Sequence, residues 1–272
     1  MFSDGLINSD MIKEHPLKIL ILMSYYNRPL LVRNALNSIV KANEHYTHWE
    51  LAFGDDGSKI PGAPIVEEVL ADHMHKVKLV QSNMTFEEKI DQGLILGRLA
   101  NEVIAESNAD VAFILCDDDE LVPTYLKGLA DYFTKNPNVL YCYSHIHLYN
   151  PFFNKSEDVD NVVGRYNKHT TAINPVNNVD ASQVAWRLSC CKERGAWFRD
   201  NTKEVQGKPW TKDTDKSFFE NLYEKCGEAH FSGLVGQYKG VHDYQLLWHK
   251  NVPAAGLWAY DQMCRELGGE KF

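Results

Sequence analysis

Short apolar runs alternate with amphipathic segments through the first half of the chain, and this alternation constrains the fold more than any other feature. Four runs read as β-strands: LKILILM (17–23), WELAFGDDGS (49–58), HKVKLVQS (75–82) and DVAFILC (110–116). Three segments have helical periodicity: NRPLLVRNALNSIVKAN (27–43), EEKIDQGLILGRLANEVIAES (87–107) and PTYLKGLADYFTKNP (123–137). In the first of these, Asn27 is expected to cap the helix, with Pro29 in its first turn. Strands separated by helices favour an α/β fold with a mostly parallel central sheet.

The pattern changes after residue 138. VLYCYSHIHLYN (139–150) alternates in the manner of a strand in a mixed or antiparallel region. Residues 151–180 are polar and irregular, 215–226 are predicted to be helical, and the chain from about 227 is aromatic and is predicted to be loop-rich. We therefore expect a smaller mixed or antiparallel region after the parallel sheet, and a loosely held extension over residues 1–16.

Composition excludes several classes of function. The net charge is −9 and no long Lys/Arg run occurs, which argues against a nucleic-acid partner. No apolar stretch approaches the ~20 residues of a transmembrane helix, and the N-terminus lacks the pattern of a secretory signal. We expect a cytoplasmic protein with no transmembrane segment. No CxxC pair is present, so a zinc knuckle or a thioredoxin-type site is not indicated. Without the pattern of a secretory signal, we expect the six cysteines to be reduced thiols.

Acidic residues follow two of the predicted strands, in GDDGS and in CDDDELVP. Carboxyl ends of parallel strands meet at one edge of a sheet, so Asp55, Asp56 and the run Asp117, Asp118 and Asp119 are expected to converge there. Carboxylates about 4 Å apart repel by roughly 4 kcal/mol at an effective dielectric near 20. A divalent cation, Mn²⁺ or Mg²⁺, would offset that repulsion and bind a diphosphate. The alternative is structural, because Asp is also common in turns and helix caps.

Three motifs in this order, ILMSYYNRPLLVRNALNSI, WELAFGDDGS and FILCDDDELVP, resemble the family 2 glycosyltransferases of the GT-A fold. The resemblance is good over residues 18–135 and traceable to about 245. It implies a single domain over 17–272, with a nucleotide-sugar-binding half (17–123) and an acceptor-binding half (124–272). The implied activity is metal-dependent, inverting transfer of a sugar from a nucleoside-diphosphate sugar, with a UDP-sugar expected, to a hydroxyl of a glycan or other glycoconjugate.

The resemblance assigns the donor site residue by residue. Ser24 and Tyr26 would contact the nucleotide base, Asp56 would accept a hydrogen bond from the base, and Arg28 is a further candidate for binding the donor. Asp117 would lie beside the ribose and diphosphate.

The same resemblance implies the metal ligands. Asp118 falls on the metal-binding position, and Asp119 is a second candidate. The chain departs from the family at Cys116, where a first Asp is frequent, so the metal site would depend more heavily on Asp118 and its neighbours. His242 is a further candidate ligand, although a lone histidine is more often structural.

The remaining assignments concern the base, the diphosphate and the acceptor. Asp215 best matches the family's catalytic base, with Asp213 as the fallback, and an ordinary helix cap is the alternative for Asp215. Lys89 and Arg98 could reach the diphosphate or simply lie on a solvated helix face. Asp180 resembles a residue that lines the acceptor pocket.

Two other enzyme functions are disfavoured, and one function without catalysis stays open. A sugar-phosphate nucleotidyltransferase is disfavoured, because SYYNRP lacks the glycine-rich loop that such enzymes carry. A P-loop kinase or NTPase is disfavoured because the GxxxxGK[ST] motif is missing from the sequence. The alternative from a different class is a catalytically inactive module that kept the fold and binds a nucleotide or glycan.

Overall fold

The computed structural model describes residues 16–82, 95–149, 171–198, 202–205, 208–211 and 214–240. The strands are β1 (Ile19–Tyr25), β2 (Trp49–Asp55), β3 (Val77–Gln81), β4 (Val111–Ile114), β5 (Glu120–Leu121), β6 (Tyr141–Tyr149), β7 (Val184–Arg187), β8 (Thr202–Val205), β9 (Lys208–Thr211) and β10 (His230–Gly240). The α-helices are α1 (Pro29–Asn43), α2 (Ala63–Val69), α3 (Ile95–Glu106), α4 (Tyr125–Lys135), α5 (Ser189–Lys192) and α6 (Thr214–Cys226).

Eight of these strands form one mixed sheet in the order β3-β2-β1-β4-β7-β6-β10-β5, and β8 pairs with β9 separately. The β3–β2, β2–β1 and β1–β4 pairs are parallel, as is β10 with β6. The β4–β7, β6–β7 and β10–β5 pairs are antiparallel. The predicted α/β architecture, with a mostly parallel sheet and a smaller mixed region, is confirmed.

Helices cover both faces of the sheet, which explains why β1 is a continuous apolar run. On one face, Ile19, Ile21 and Met23 pack in a buried cluster with α1, α2 and α4. On the other, Leu20 and Leu22 pack in a cluster with α3, α5 and α6. Because successive strand side chains point to opposite faces, a strand covered on both sides must be apolar at every position.

Two sequence-based expectations about local structure were wrong. Asn27 does not cap α1: its φ is +52°, and its side chain accepts a hydrogen bond from the Lys59 amide at 2.7 Å. Arg28 takes the capping position and makes no side-chain capping bond. Residues 230–240 do not form a loop. They form the long strand β10, which pairs with β6 although its sequence contains three glycines.

Within the ranges listed above, no helix has both the length and the apolar character needed to cross a bilayer.

A buried serine ties α1 to the segment that follows the three aspartates. Ser38 donates to the Ala35 carbonyl at 2.6 Å, and its Oγ accepts the amide of Leu121 in β5 at 2.8 Å. This contact fixes the segment after the aspartates against the first helix, through a side chain 83 residues earlier in the sequence.

We expect Ser38→Ala to lower the free energy of unfolding by about 1–3 kcal/mol, because the Leu121 amide would lose its partner in a buried setting. Urea denaturation measures this loss. The exposed neighbour Asn37 provides the control, since Asn37→Ala should change stability by no more than about 0.5 kcal/mol. Equal effects of the two substitutions would contradict the bracing role of Ser38.

Candidate active site

The ends of β1, β2 and β4 form one edge of the sheet, and the acidic motifs lie there as expected. Tyr25, at the end of β1, is in register with Asp55 at the end of β2. The Tyr26 amide donates to Asp117 Oδ2 at 3.2 Å, which joins the end of β1 to the turn after β4. The convergence predicted from sequence is therefore present between these strands.

Arg28 bridges two of the three aspartates. Its Nη1 lies 2.9 Å from Asp117 Oδ1 and 2.9 Å from Asp118 Oδ2. The arginine side chain is 18% exposed and both carboxylates are 8% exposed, so the group is largely removed from solvent. Burial lowers the pKa of Arg28, but Asp117 and Asp118 outweigh that effect and the net shift is upward. The guanidinium thus stays charged and offsets one of the two carboxylates.

The burial of Asp117 disfavours its charged form. Desolvation raises its pKa to about 6; Arg28 opposes this rise and the neighbouring Asp118 adds to it. Burial and the charge of Asp118 make the ionised form of Asp117 less favourable, and a cation bound nearby would stabilise that form.

The third aspartate belongs to a second ionic group. Asp119 is completely buried, and its Oδ1 accepts the Gly240 amide at 3.0 Å. Lys239 Nζ lies 3.7 Å from Asp119 Oδ2 and 3.0 Å from Asp180 Oδ1. Burial raises the pKa of Asp119 to about 7, against the lowering effect of Lys239. Lys239 could not be identified from the sequence, because it lies in a segment that was expected to be a loop and that contains no recognisable motif.

Asp180, predicted to contact the acceptor, lies in this second group. It caps the 3₁₀ helix Ala181–Gln183: its Oδ1 accepts from the Ser182 amide at 3.1 Å, and Gln183 Oε1 accepts the Asp180 amide at 2.9 Å. Burial would raise the pKa of Asp180, but Lys239 and Ser182 together bring it below its usual value. The residue is thus ionised beside the aspartate motif, and its contact with an acceptor stays a prediction.

The two aspartates of GDDGS have different surroundings. Asp55 organises the loop, because its Oδ1 accepts the Ser58 amide and its Oδ2 the Gly62 amide, both at 2.8 Å. Asp56 is buried next to Tyr26, whose pKa is raised by burial and by the Asp56 charge. Asp56 and Tyr26 therefore lie close together, and their contact with a nucleotide base stays a prediction, while Asp55 has the structural role.

The described residues fit a divalent cation. Cys116, Asp118 and Asp119 bring one ligand atom each within 4.8 Å of one another, and buried Asp119 Oδ2 accepts no hydrogen bond from any residue that the structure describes. Burial, followed by the charge of Asp119, raises the pKa of Cys116 well above its usual value, which favours the protonated thiol, a poor metal ligand. The carboxylates of Asp118 and Asp119 are better ligands, because Mg²⁺ and Mn²⁺ prefer oxygen. Ion pairs join Asp117, Asp118, Asp119 and Asp180 to two cations, Arg28 and Lys239, in the described part of the chain, and a divalent cation would offset the negative charge that these pairs leave.

The structure places the other predicted residues as follows. Ser24 is half-buried near the end of β1, opposite Gly54. Asp215 is in the first turn of α6, and its Oδ1 accepts the Lys216 amide at 3.0 Å. Lys89, Asp213, His242 and the side chain of Arg98 lie outside the described residues.

A model of the family described as "Glycosyl transferase family 2" matches residues 20–227, about three quarters of the chain's length. The chain belongs to glycosyl transferase family 2. No curated protein sequence matches it significantly.

The solved structures similar to this family 2 chain include S. aureus TarS and a mannosyltransferase. S. aureus TarS 1-349 superposes with a TM-score of 0.59 at 15% identity, over 82% of this chain and 60% of that one. The complex of TarS 1-349 with UDP-GlcNAc superposes with a TM-score of 0.63 at 16% identity, over 93% of this chain and 68% of that one. The mannosyltransferase PcManGT from Pyrobaculum calidifontis, in complex with GDP-Man and Mn2+, superposes with a TM-score of 0.58 at 13% identity. The match covers 95% of this chain and 67% of that one. These likenesses establish the GT-A fold, and the chain spans 60% of the first TarS structure.

We expect Arg28→Gln to lower the free energy of unfolding by about 3–5 kcal/mol, because Asp117 and Asp118 would lose the cation between them in a buried setting. Chemical denaturation without added metal measures the change. Arg33→Gln is the matched control: it breaks a two-bond pair with Glu68 in which the side chains are 37% and 66% exposed, and should cost less than about 1 kcal/mol. Similar losses in both variants would show that the Arg28 bridge has no special importance.

Proposed function

We propose that this protein transfers a sugar from a nucleoside-diphosphate sugar to a hydroxyl group of a glycan or other glycoconjugate, with a divalent cation and with inversion at the anomeric carbon. The observation that carries the proposal is the buried aspartate motif at the carboxyl edge of β1, β2 and β4, joined to β1 through Tyr26 and to Arg28. Family membership supports the reaction class. The relatives' complexes with UDP-GlcNAc and with GDP-Man and Mn2+ support the class of donor.

On this proposal, the donor lies along the edge of the sheet. Tyr26, Ser24 and buried Asp56 form the pocket for the base, which we propose is uracil. Arg28 holds Asp117 and Asp118 in place and presents a guanidinium to the diphosphate, for which its planar donors are well suited. A divalent cation on Asp118 and Asp119 would neutralise charge on the departing nucleoside diphosphate.

Asp215 is the proposed base. Its position in the first turn of α6 favours the carboxylate form, because the positive end of the helix dipole stabilises a negative charge. In that form it can take the proton from the acceptor hydroxyl as the hydroxyl attacks the anomeric carbon opposite the leaving group. Attack from that side inverts the configuration.

We expect a nucleoside diphosphate with Mn²⁺ to raise the melting temperature, and Asp118→Asn to abolish the Mn²⁺-dependent part of the rise. Ligand at 100 times its Kd adds about 2.7 kcal/mol, or on the order of 5–10 °C for a domain of this size. Thermal unfolding with UDP, GDP and their sugars, each with and without Mn²⁺, measures this. Asp131→Asn, in an exposed pair with Lys127, is the control and should behave as wild type. No shift with any nucleotide in a well-folded protein would reject the proposed donor site.

We expect Asp215→Asn to bind the donor normally but to release nucleoside diphosphate from it at least about 10²-fold more slowly, because a water or acceptor hydroxyl would lose its base. Donor hydrolysis and the thermal shift, measured side by side, separate the two effects. Asp213→Asn is the contrast and should keep most activity; a loss in that variant alone would transfer the role to Asp213. A wild-type protein that binds donors but neither hydrolyses nor transfers them would favour an inactive binding module.

A further inference from the structure

The last two residues of β10 enclose the buried aspartate of the motif. The Gly240 amide donates to Asp119 Oδ1 at 3.0 Å, and the Lys239 ammonium lies 3.7 Å from Asp119 Oδ2. Asp119 is completely buried, so these groups rather than water set the orientation of its carboxylate. The strand that supplies them also pairs with β5, directly after the motif, through Gln237–Leu121 and Tyr238–Glu120.

Lys239 is itself held at a fixed point. Its ammonium lies 3.0 Å from Asp180 Oδ1, and its side chain is only 18% exposed. Asp180 in turn is fixed by the capping box with Gln183, whose Nε2 donates to the Ser144 carbonyl of β6 at 2.8 Å. A chain of short contacts therefore runs from β6 through the 3₁₀ helix to Lys239 and on to Asp119.

Two physical effects of Lys239 on a nearby cation have opposite signs. Its positive charge repels a divalent cation, so its removal would tighten metal binding through space. Its contacts also keep Asp119 and Asp180 from repelling each other and from turning away from the motif, so its removal would weaken metal binding. Partners that orient the carboxylate ligands of a metal typically contribute 10–100-fold to metal affinity. The orienting effect is therefore expected to dominate.

We propose that Lys239 is a positioning residue of the donor site: shared between Asp119 and Asp180, its ammonium fixes the Asp119 carboxylate beside Asp118, so that both can hold one divalent cation together with a nucleoside diphosphate. This inference rests on the proposed function. It gives β10, which carries no recognisable motif, a direct part in metal and donor binding.

Substitutions at the two ends of the Lys239–Asp180 pair test this, because they change the net charge in opposite directions. The measurement is the affinity for Mn²⁺ by calorimetry, with UDP or GDP present, on the full chain. If Lys239 is a positioning residue, Lys239→Met should bind Mn²⁺ about 10–100-fold more weakly than wild type. Asp180→Asn, which keeps a good helix cap, should also bind Mn²⁺ more weakly. Lys239→Arg, which retains the positive charge, should lower the affinity for Mn²⁺ by less than about tenfold. Lys127→Met, in an exposed pair, is the control for removing a lysine and should match wild type.

The outcomes separate this proposal from the proposed function. Unchanged or tighter Mn²⁺ binding in Lys239→Met, with a melting temperature near that of wild type, would overturn the positioning role and leave the proposed function intact. If Lys239→Met does not fold, Asp180→Asn decides in its place, and wild-type affinity in that variant counts against positioning. A wild-type protein that binds nucleotide without any need of Mn²⁺ would reject the metal site, and this inference with it.

Discussion

The arrangement of the site depends on one constraint: buried carboxylates at the end of β4 must be matched by cations from elsewhere in the fold. Removing a charge from water costs several kcal/mol unless a partner and hydrogen bonds offset it. Arg28 supplies that partner for Asp117 and Asp118, and Lys239 for Asp119 and Asp180. The aspartate turn is therefore stable only where the start of α1 and the end of β10 reach it.

This constraint links the site to the topology of the sheet. Parallel pairing of β1 with β4 brings the residues just before α1 to the turn after β4, which places Arg28 against Asp117. Antiparallel pairing of β10 with β5 brings Lys239 to the other side of the same turn. The two cations are far apart in the sequence, and both reach the aspartate turn only through the pairing of these strands. The candidate site therefore requires both halves of the sheet.

Sequence could predict the parts of the fold that repeat a simple pattern. The apolar runs of β1, β2 and β4 and the acids after them follow from burial on both faces and from parallel pairing. β10 could not be predicted, because its glycines and polar residues have low strand propensity, and Gly233 adopts φ +74°. Its pairing with β6 contains register shifts, so tertiary contacts decide its conformation. Lys239 was missed for the same reason.

The balance of charge also bears on how a donor would bind under the proposed function. Asp117, Asp118, Asp119 and Asp180 share Arg28 and Lys239 within the described ranges, and a nucleoside diphosphate would bring further negative charge to this edge. Repulsion would then oppose the binding of the nucleotide alone, whereas a divalent cation would be attracted both by the carboxylates and by the diphosphate. Metal and donor would consequently bind with positive coupling. Because such coupling is reciprocal, the factor by which the cation raises nucleotide affinity equals the factor by which the nucleotide raises the affinity for the cation.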